Sequence, residues 1–264
     1  MNPRPVSNRQ ATLLRKLNKK KYRAKEQLFL IEGARAIEQI LANSSVSVQH
    51  LFFDESQQYW NQQFWQEAMT KVKGAVLDEK LFAEVSDTDN PQGVLAMCQM
   101  PQETSAKRLA SQEGTIVALD AVQDPGNLGT IIRTASWFGA GGIISGKGTV
   151  DLFHPKVVRA TAGATGSIPF LNGSLPDIFG TLEEHGWPIY LLDAGPEAIP
   201  LKDVNLQGKA VITVGNEAHG VSPELINGHR QTVKIPSAGT DRKVESLNAA
   251  IATSIVLYGL NENL

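Results

Sequence analysis

Apolar positions along this 264-residue chain form short runs separated by helical stripes, and the pattern breaks near residue 101. Before the break, Leu13, Leu14 and Leu17 share one helical stripe, while Arg15, Lys16, Lys19 and Lys20 lie largely off it. The runs LFLIEG (28–33), VQHLFFD (48–54), AVLD (75–78) and GVLAMCQM (93–100) predict strands. Between them, ARAIEQILAN (34–43), YWNQQFWQEAMTKVKG (59–74) and EKLFAEVS (79–86) predict helices. Residues 101–114, PQETSAKRLASQEG, are polar without a sustained apolar period and predict a linker. Two domains are therefore expected, residues 1–105 as a small α/β module and 114–264 as a larger one.

Beyond the linker the order is regular. Strands are predicted at TIVALD (115–120), GGIISG (141–146), IPFLN (168–172), PIYLLDA (188–194), KAVITVG (209–215) and TVKIP (232–236). Helices are predicted from Leu128, around PKVVRATAGA (155–164), at LPDIFGTLEEHG (175–186), at SPELING (222–228) and at SLNAAIATSIVLYGL (246–260). Buried strands alternating with helices imply an α/β fold with a mostly parallel sheet and helices on both faces. On such a sheet, ligands bind beyond the carboxyl ends of the strands. In the last helix, Leu247, Ala250, Ile251, Ser254, Ile255 and Tyr258 are expected to face the core.

Composition adds little to this, but charge does. With 42% hydrophobic and 20% charged residues the chain has the make-up of an ordinary globular protein. Its net charge of -2 hides an asymmetry: nine basic residues lie between Arg4 and Lys25, and no acid precedes Glu26. That is the footprint of a polyanion-binding arm, or else a solvated basic helix face. The single cysteine, Cys98, excludes an internal disulfide and sits in an apolar run that predicts a buried thiol. The five histidines have no metal-ligand spacing, so no metal is expected. No run approaches the roughly 20 apolar residues that span a bilayer. The basic N-terminus has no apolar run of a secretion signal; a transit peptide is compatible with it, and a cytoplasmic location is the simpler expectation.

Glycines, asparagines and acids gather in three loops, each after a strand: AVQDPGNLG, NEAHGVS and SAGTDRKVESLN. All three sit where a ligand belongs on this sheet. In the first, Asn127 is placed to cap a helix opening at Leu128. Leu128, Ile131, Ile132 and Ala135 share the face that packs on the sheet, whereas Thr130, Arg133, Thr134 and Trp137 share the other. Arg133 is thus turned outward, as a solvated or ion-paired arginine or as a functional one. In the second loop, Gly215 and Gly220 permit close backbone approach, and Asn216 and Glu217 offer an amide and a carboxylate, or the segment is a plain turn capped by Ser222. In the third, Ser246 and Asn248 open the final helix, as caps or as functional groups. No G-x-G-x-x-G, no G-x4-G-K-[ST] and no G-x-S-x-G occurs, which disfavours dinucleotide, ATP and hydrolase sites.

Taken together, DPGNLGTIIRTA, VGNEAHGVS and IPSAG with ESLNAAIA resemble, in order, the three motifs of the SpoU (TrmH) branch of the SPOUT RNA methyltransferases. The resemblance covers residue 114 to the C-terminus. It implies a deep trefoil knot, S-adenosylmethionine as cofactor, transfer of methyl to a ribose 2'-hydroxyl of RNA, and a homodimer. It implies further that Arg133, Asn127, Glu217, Ser246 and Asn248 are the catalytic set, and that Gly215, Asn216, Ile235 and Leu247 contact the cofactor. The N-terminal module is similar to the L30e-like substrate-binding domain of the ribosomal-RNA members, which makes 23S-type ribosomal RNA the expected substrate. The chain departs from the family pattern at Ser237, where methionine is common, and in the longer charged spacer before SLN.

The residue types suit that chemistry. A sulfonium methyl group is already electrophilic, so the site needs no metal. It needs orientation of the hydroxyl, loss of its proton and an anchor for the adjacent phosphate. A planar guanidinium fits the last task by bidentate contact. Arginine side chains stay protonated to above about pH 12, so Arg133 is assigned to positioning and electrostatics before proton removal. The alternatives are a tRNA 2'-O-methyltransferase and, from another class, a non-catalytic RNA-binding or ribosome-assembly protein of the same fold.

Overall fold

A computed structural model of the protein describes residues 3–43, 45–195, 197–204, 208–227, 229–237 and 244–260. The chain divides into two compact units, Met1–Pro101 with Phe153–Ser167, and Gln102–Leu152 with Ile168–Leu264.

The first unit contains β1 (Arg4–Pro5), α1 (Asn8–Leu17), α2 (Lys20–Glu26), β2 (Leu28–Glu32), α3 (Ala34–Asn43), β3 (Val48–Asp54), α4 (Gln63–Ala68), β4 (Lys73–Leu77), α5 (Glu79–Val85) and β5 (Val94–Gln99). Its strands form one mixed sheet in the order β1-β4-β3-β5-β2. The basic α1 has no acid in its first turn and starts instead with a capping box: Ser7 Oγ accepts from Gln10 N at 3.3 Å, and Ser7 N donates to Gln10 Oε1 at 3.1 Å. The stripe of Ala11, Leu14 and Leu17 is buried against Leu30, Phe52 and Leu77. Each such leucine contributes about 1.5–3 kcal/mol on burial. The helix expected over 59–74 is shorter, because a 3-10 turn at Tyr59–Asn61 precedes α4 and the chain is already extended at Lys73. Cys98 is buried in β5, and burial pushes its thiol far above the ordinary value.

The second unit contains α6 (Ala106–Ala110), β6 (Thr115–Leu119), α7 (Pro125–Trp137) and β7 (Gly142–Gly146). The chain then forms α8 (Pro155–Ala160), which the contacts assign to the first unit, where Val157 and Val158 are buried and the Phe153 ring lies 4.9 Å from that of Phe29. Arg159 fixes it there, donating to the Asp87 carbonyl at 2.9 Å and the Asp87 carboxylate at 3.1 Å. The second unit resumes with β8 (Phe170–Gly173), α9 (Leu175–Glu184), β9 (Ile189–Leu192), β10 (Ile199–Pro200), β11 (Ala210–Val214), β12 (Gln231–Lys234) and α10 (Ala249–Leu260).

Its strands form a seven-stranded sheet in the order β10-β12-β9-β11-β6-β7-β8, and every pairing is parallel. Helices cover both faces, as the strand and helix alternation predicts. On one, α9 and α6 bury Phe179, Leu182 and Leu109 against Val211 and Ile116. On the other, Val256 of α10 packs on Ile212, Tyr190 and Val233. The polar stretch 101–114 therefore contains a helix: Leu109 and Ala110 are its only large contribution to the core, too few to produce a period.

Two local expectations change. Helix α7 begins at Pro125 and is capped by Asp124, whose Oδ1 accepts from Asn127 N at 2.7 Å; Asn127 lies within the first turn. Proline at the first helical position costs nothing, since its missing N–H would be unbonded there anyway. Of the expected stripe of the last helix only Ala250 is buried and Ser254 half-buried; the inner face is Ala250, Thr253, Val256 and Leu257, and Leu247, Ile251, Ile255 and Tyr258 are exposed. A helix apolar on both sides gives periodicity no means to select the inner one.

Candidate active site

Because β12, β9, β11 and β6 run parallel, the loops that follow them open at one edge of the sheet. A cavity of about 490 Å³ lies there, lined by Leu192 and Asp193 after β9, residues 214–220 after β11, Val233 and Ile235 around the end of β12, and residues 245–249 with Ala252 at the start of α10. This volume falls within the roughly 300–1,000 Å³ of small-molecule sites. Leu192, Val233, Ile235 and Leu247 give it apolar walls, while Glu217, Ser246 and Asn248 add polar groups.

The loop after β11 is shaped by two glycines. A Cβ on Gly215 would lie 2.2 Å from the Gly220 carbonyl carbon and 2.4 Å from Val221 N, so only glycine fits. Gly220 has φ +70°. Between them Asn216 and Gly220 exchange two backbone hydrogen bonds of 2.9 Å, closing a tight loop. Asn216 then anchors that loop to the one after β6: its Nδ2 donates to the Ala121 carbonyl at 2.8 Å, and its Oδ1 accepts from Ala218 N at 3.0 Å and His219 N at 3.1 Å. With the amide orientation so determined, Oδ1 is an acceptor, and His219 Nδ1, 3.1 Å away, is the protonated ring nitrogen. Ala121 itself takes φ +53°, a left-handed conformation that costs a non-glycine residue about 1–2 kcal/mol.

Glu217 is the hub. Its Oε1 accepts from Asn127 Nδ2 at 3.0 Å and Asp124 N at 3.1 Å, and its Oε2 accepts from Gln123 N at 3.2 Å. Burial pushes the carboxyl pKa up, but these hydrogen bonds, the Asn127 amide foremost, outweigh it, and the net value lies below the ordinary one. Asn127 passes the linkage on, its Oδ1 accepting from Asn248 Nδ2 at 2.8 Å. Asn248 Oδ1 in turn accepts from Ala250 N at 2.9 Å and Ile251 N at 3.2 Å, so Asn248, not Ser246, holds the helix start. One continuous chain of side chains thus joins the starts of α7 and α10 to the loop after β11.

The structure brings together Asn127, Gly215, Asn216, Glu217, Ile235, Ser246, Leu247 and Asn248. It does not bring Arg133 into that cluster. Arg133 lies six residues beyond Asn127 on α7, about 9 Å along the axis, where it is exposed and has no hydrogen bond or ion pair among the described residues. Thr130 and Trp137 share its exposed face. The sequence reading missed Asp193 and His219. Asp193 follows a strand and precedes Gly195, the same acid and glycine signature as the three recognised loops. His219 shows its connection only through the Asn216 side chain. Among the described residues no group of three His, Cys, Asp or Glu side chains could hold a metal, and no helix is long and apolar enough to cross a membrane.

Comparison with known proteins agrees with this geometry. Residues 114–258 match the SpoU rRNA Methylase family, and residues 8–96 match the MRM3-like substrate binding domain. The chain is 33% identical over 246 residues to the 23S rRNA (guanosine(2553)-2'-O)-methyltransferase RlmP of Bacillus subtilis, covering 93% of each protein. Among solved structures, the AdoMet-bound rRNA methyltransferase of Sinorhizobium meliloti superposes with a TM-score of 0.82 at 31% identity, over 99% of this chain and 97% of that one. The SpoU methyltransferase AviRb of Streptomyces viridochromogenes, in complex with AdoMet, gives 0.83 at 25% identity, over 97% and 98%.

Proposed function

The chain belongs to the SpoU rRNA methylase family, and from that premise we propose that it transfers a methyl group from S-adenosylmethionine to a ribose 2'-hydroxyl of 23S-type ribosomal RNA. The observation that carries the reading is the hydrogen-bonded chain Glu217–Asn127–Asn248 at the rim of the 490 Å³ cavity. It assembles residues from all three loops around a space of cofactor size. Two relatives are named for the position they methylate in 23S rRNA, a guanosine in one and a uridine in the other.

The cavity suits the cofactor. Leu192, Ile235 and Leu247 supply apolar walls for a flat ring, and Gly215 and Asn216 line the same space. When bound, S-adenosylmethionine supplies a methyl group on a positively charged sulfur, which needs no metal activation. The protein's part is placement. Glu217, ionised by its three donors, holds the loops after β6 and β11 in register. Arg133 anchors the phosphate beside the target ribose and stabilises negative charge as the 2'-hydroxyl loses its proton. Ser246, exposed at the cavity and without a capping task, is free to orient the hydroxyl.

The wider architecture follows the same reading. Residues 1–105, with the basic α1 and α2 and completed by Phe153–Ser167, serve as the RNA substrate-binding domain, and the rest of residues 114–264 forms the knotted SPOUT domain, at work in the cytoplasm. The exposed apolar face of α10 is the seam of a homodimer: Ile251 is 52% exposed, Tyr258 59% and Trp137, on neighbouring α7, 84%. Burial of each such side chain in a partner contributes about 1.5–3 kcal/mol.

The test is transfer of labelled methyl from S-adenosylmethionine to unmodified ribosomal RNA and to tRNA. Label in ribosomal RNA at an alkali-resistant linkage supports the proposal, and label in tRNA alone replaces the substrate. RNA binding without transfer to either favours the non-catalytic protein.

A further inference from the structure

Helices α1 and α2 meet at a tyrosine. Lys16 stands in the last turn of α1 and Lys21 in the first of α2, and both carry their ammonium groups to the Tyr22 ring, with Nζ 5.5 Å and 4.9 Å from its centroid. Two like charges are thus drawn to one ring. Neither lysine has a carboxylate partner among the described residues, whereas their neighbour Arg15 is paired with Glu84 at 2.8 Å. Tyr22 is half-buried, is not among the side chains of the cluster around Leu14 and Phe52, and its hydroxyl makes no hydrogen bond with the described residues. A tyrosine whose hydroxyl has no partner there offers one chemical asset, its ring face. The surrounding Lys19, Lys20 and Lys25 are exposed as well.

We infer that Tyr22 is a stacking platform for an unpaired RNA base, and that Lys16 and Lys21 grip the phosphates on either side of that base. The inference rests on the RNA substrate proposed above and narrows it to a looped or single-stranded element at the first unit. The physical ground is that a helical duplex hides its base faces, while an unpaired base stacks on an aromatic ring and its backbone follows a basic groove. The electron-rich ring that attracts two ammonium groups in the free protein accepts a base face once phosphates take the ammonium groups over.

The test uses the full chain with a 12-nucleotide single strand carrying one 2-aminopurine, and with the same strand in a duplex. Wild type is expected to prefer the single strand and to quench the 2-aminopurine. Tyr22→Ala is expected to weaken single-strand binding by at least about fivefold and to abolish quenching, with the salt dependence unchanged. Tyr22→Phe should retain both. Lys16→Ala with Lys21→Ala should lower the slope of log affinity against log salt by about 0.7 per lysine. Should Tyr22→Ala unfold, Tyr22→Leu keeps apolar volume without a ring and is expected to show the same loss. The inference is overturned if Tyr22→Ala binds as wild type, if Tyr22→Phe fails alongside it, or if duplex is preferred. Methyl transfer by wild type, measured in parallel, separates the two readings: its absence removes the methylation proposal, while loss of Tyr22 dependence with transfer intact removes only this one.

Discussion

Asn127 Nδ2 donates to Glu217 Oε1 at 3.0 Å, across 90 residues of chain, and the same asparagine accepts from Asn248 at 2.8 Å. A single amide thus donates to a carboxylate with its nitrogen and accepts from a second amide with its oxygen. The donating task cannot be passed to an aspartate, whose two oxygens would only accept.

The tie is expected to be cooperative. Asn127→Ala and Glu217→Gln should each destabilise the second unit, and the double variant should lose less than the two combined, with a coupling of about 0.5–3 kcal/mol. Denaturant unfolding of the four proteins gives the number. Strict additivity would show that the two residues do not act together.

Glu217 also sets a pH dependence. Its carboxyl holds a proton less readily in the folded protein than in the unfolded one. The unfolded state therefore takes up protons first on acidification, so the contribution is complete above the ordinary value of 4.5 and is lost as pH falls through the folded value. Melting curves from pH 7 to 3 should show a loss that Glu217→Gln reduces. Parallel curves for the two proteins would refute the assignment.

Gly215→Ala is expected to be damaging out of proportion to its one carbon. The added Cβ meets the Gly220 backbone at 2.2 Å, which neither loop can relieve while Asn216 and Gly220 stay bonded. We expect about 1–3 kcal/mol of destabilisation and loss of S-adenosylhomocysteine binding by calorimetry. Unchanged affinity would mean that the loop does not touch the ligand.

Arg133→Ala should do the reverse, leaving the melting temperature unchanged because the exposed side chain makes no hydrogen bond or ion pair among the described residues, while lowering transfer by about 10²–10³-fold. Arg133→Lys should recover little, since a point charge does not reproduce a planar two-pronged contact. A variant that melts like wild type and transfers methyl at the wild-type rate would return Arg133 to the solvated surface.

The exposed face of α10 predicts association. Ile251→Asp with Ile255→Asp should convert a dimer to a monomer in sedimentation without unfolding it, since both side chains point away from the core. A wild-type protein that sediments as a monomer would dispose of the dimer directly.

Much of this is legible in the amino-acid sequence itself. The alternation of strands and helices after residue 114 carried the parallel sheet, and the acids and glycines after three strands marked the edge where the cavity lies. What failed did so for identifiable reasons. Leu109 and Ala110 bury a helix inside a polar stretch, too short for a period to register. In α10, Ile251 and Ile255 alternate with Val256 and Leu257 around the whole circumference, so amphipathicity had no direction to report. Asp124 took the cap that Asn127 seemed suited for, and this freed the Asn127 amide to span Glu217 and Asn248.

Helix α8 has a consequence for how the protein is made. The first unit is not finished at Pro101; it takes in Phe153–Ser167, whose valines and Phe153 ring complete its interior. A ribosome adding about 5–20 residues per second synthesises the 66 residues from Gln102 to Ser167 in roughly 3–13 s, and throughout that time the first unit waits with an open flank. Strands β6 and β7 are already made by then, while β11, the other neighbour of β6, is not. The first unit is therefore completed only after part of the second has been made, the earlier one sealed from within the sequence of the later.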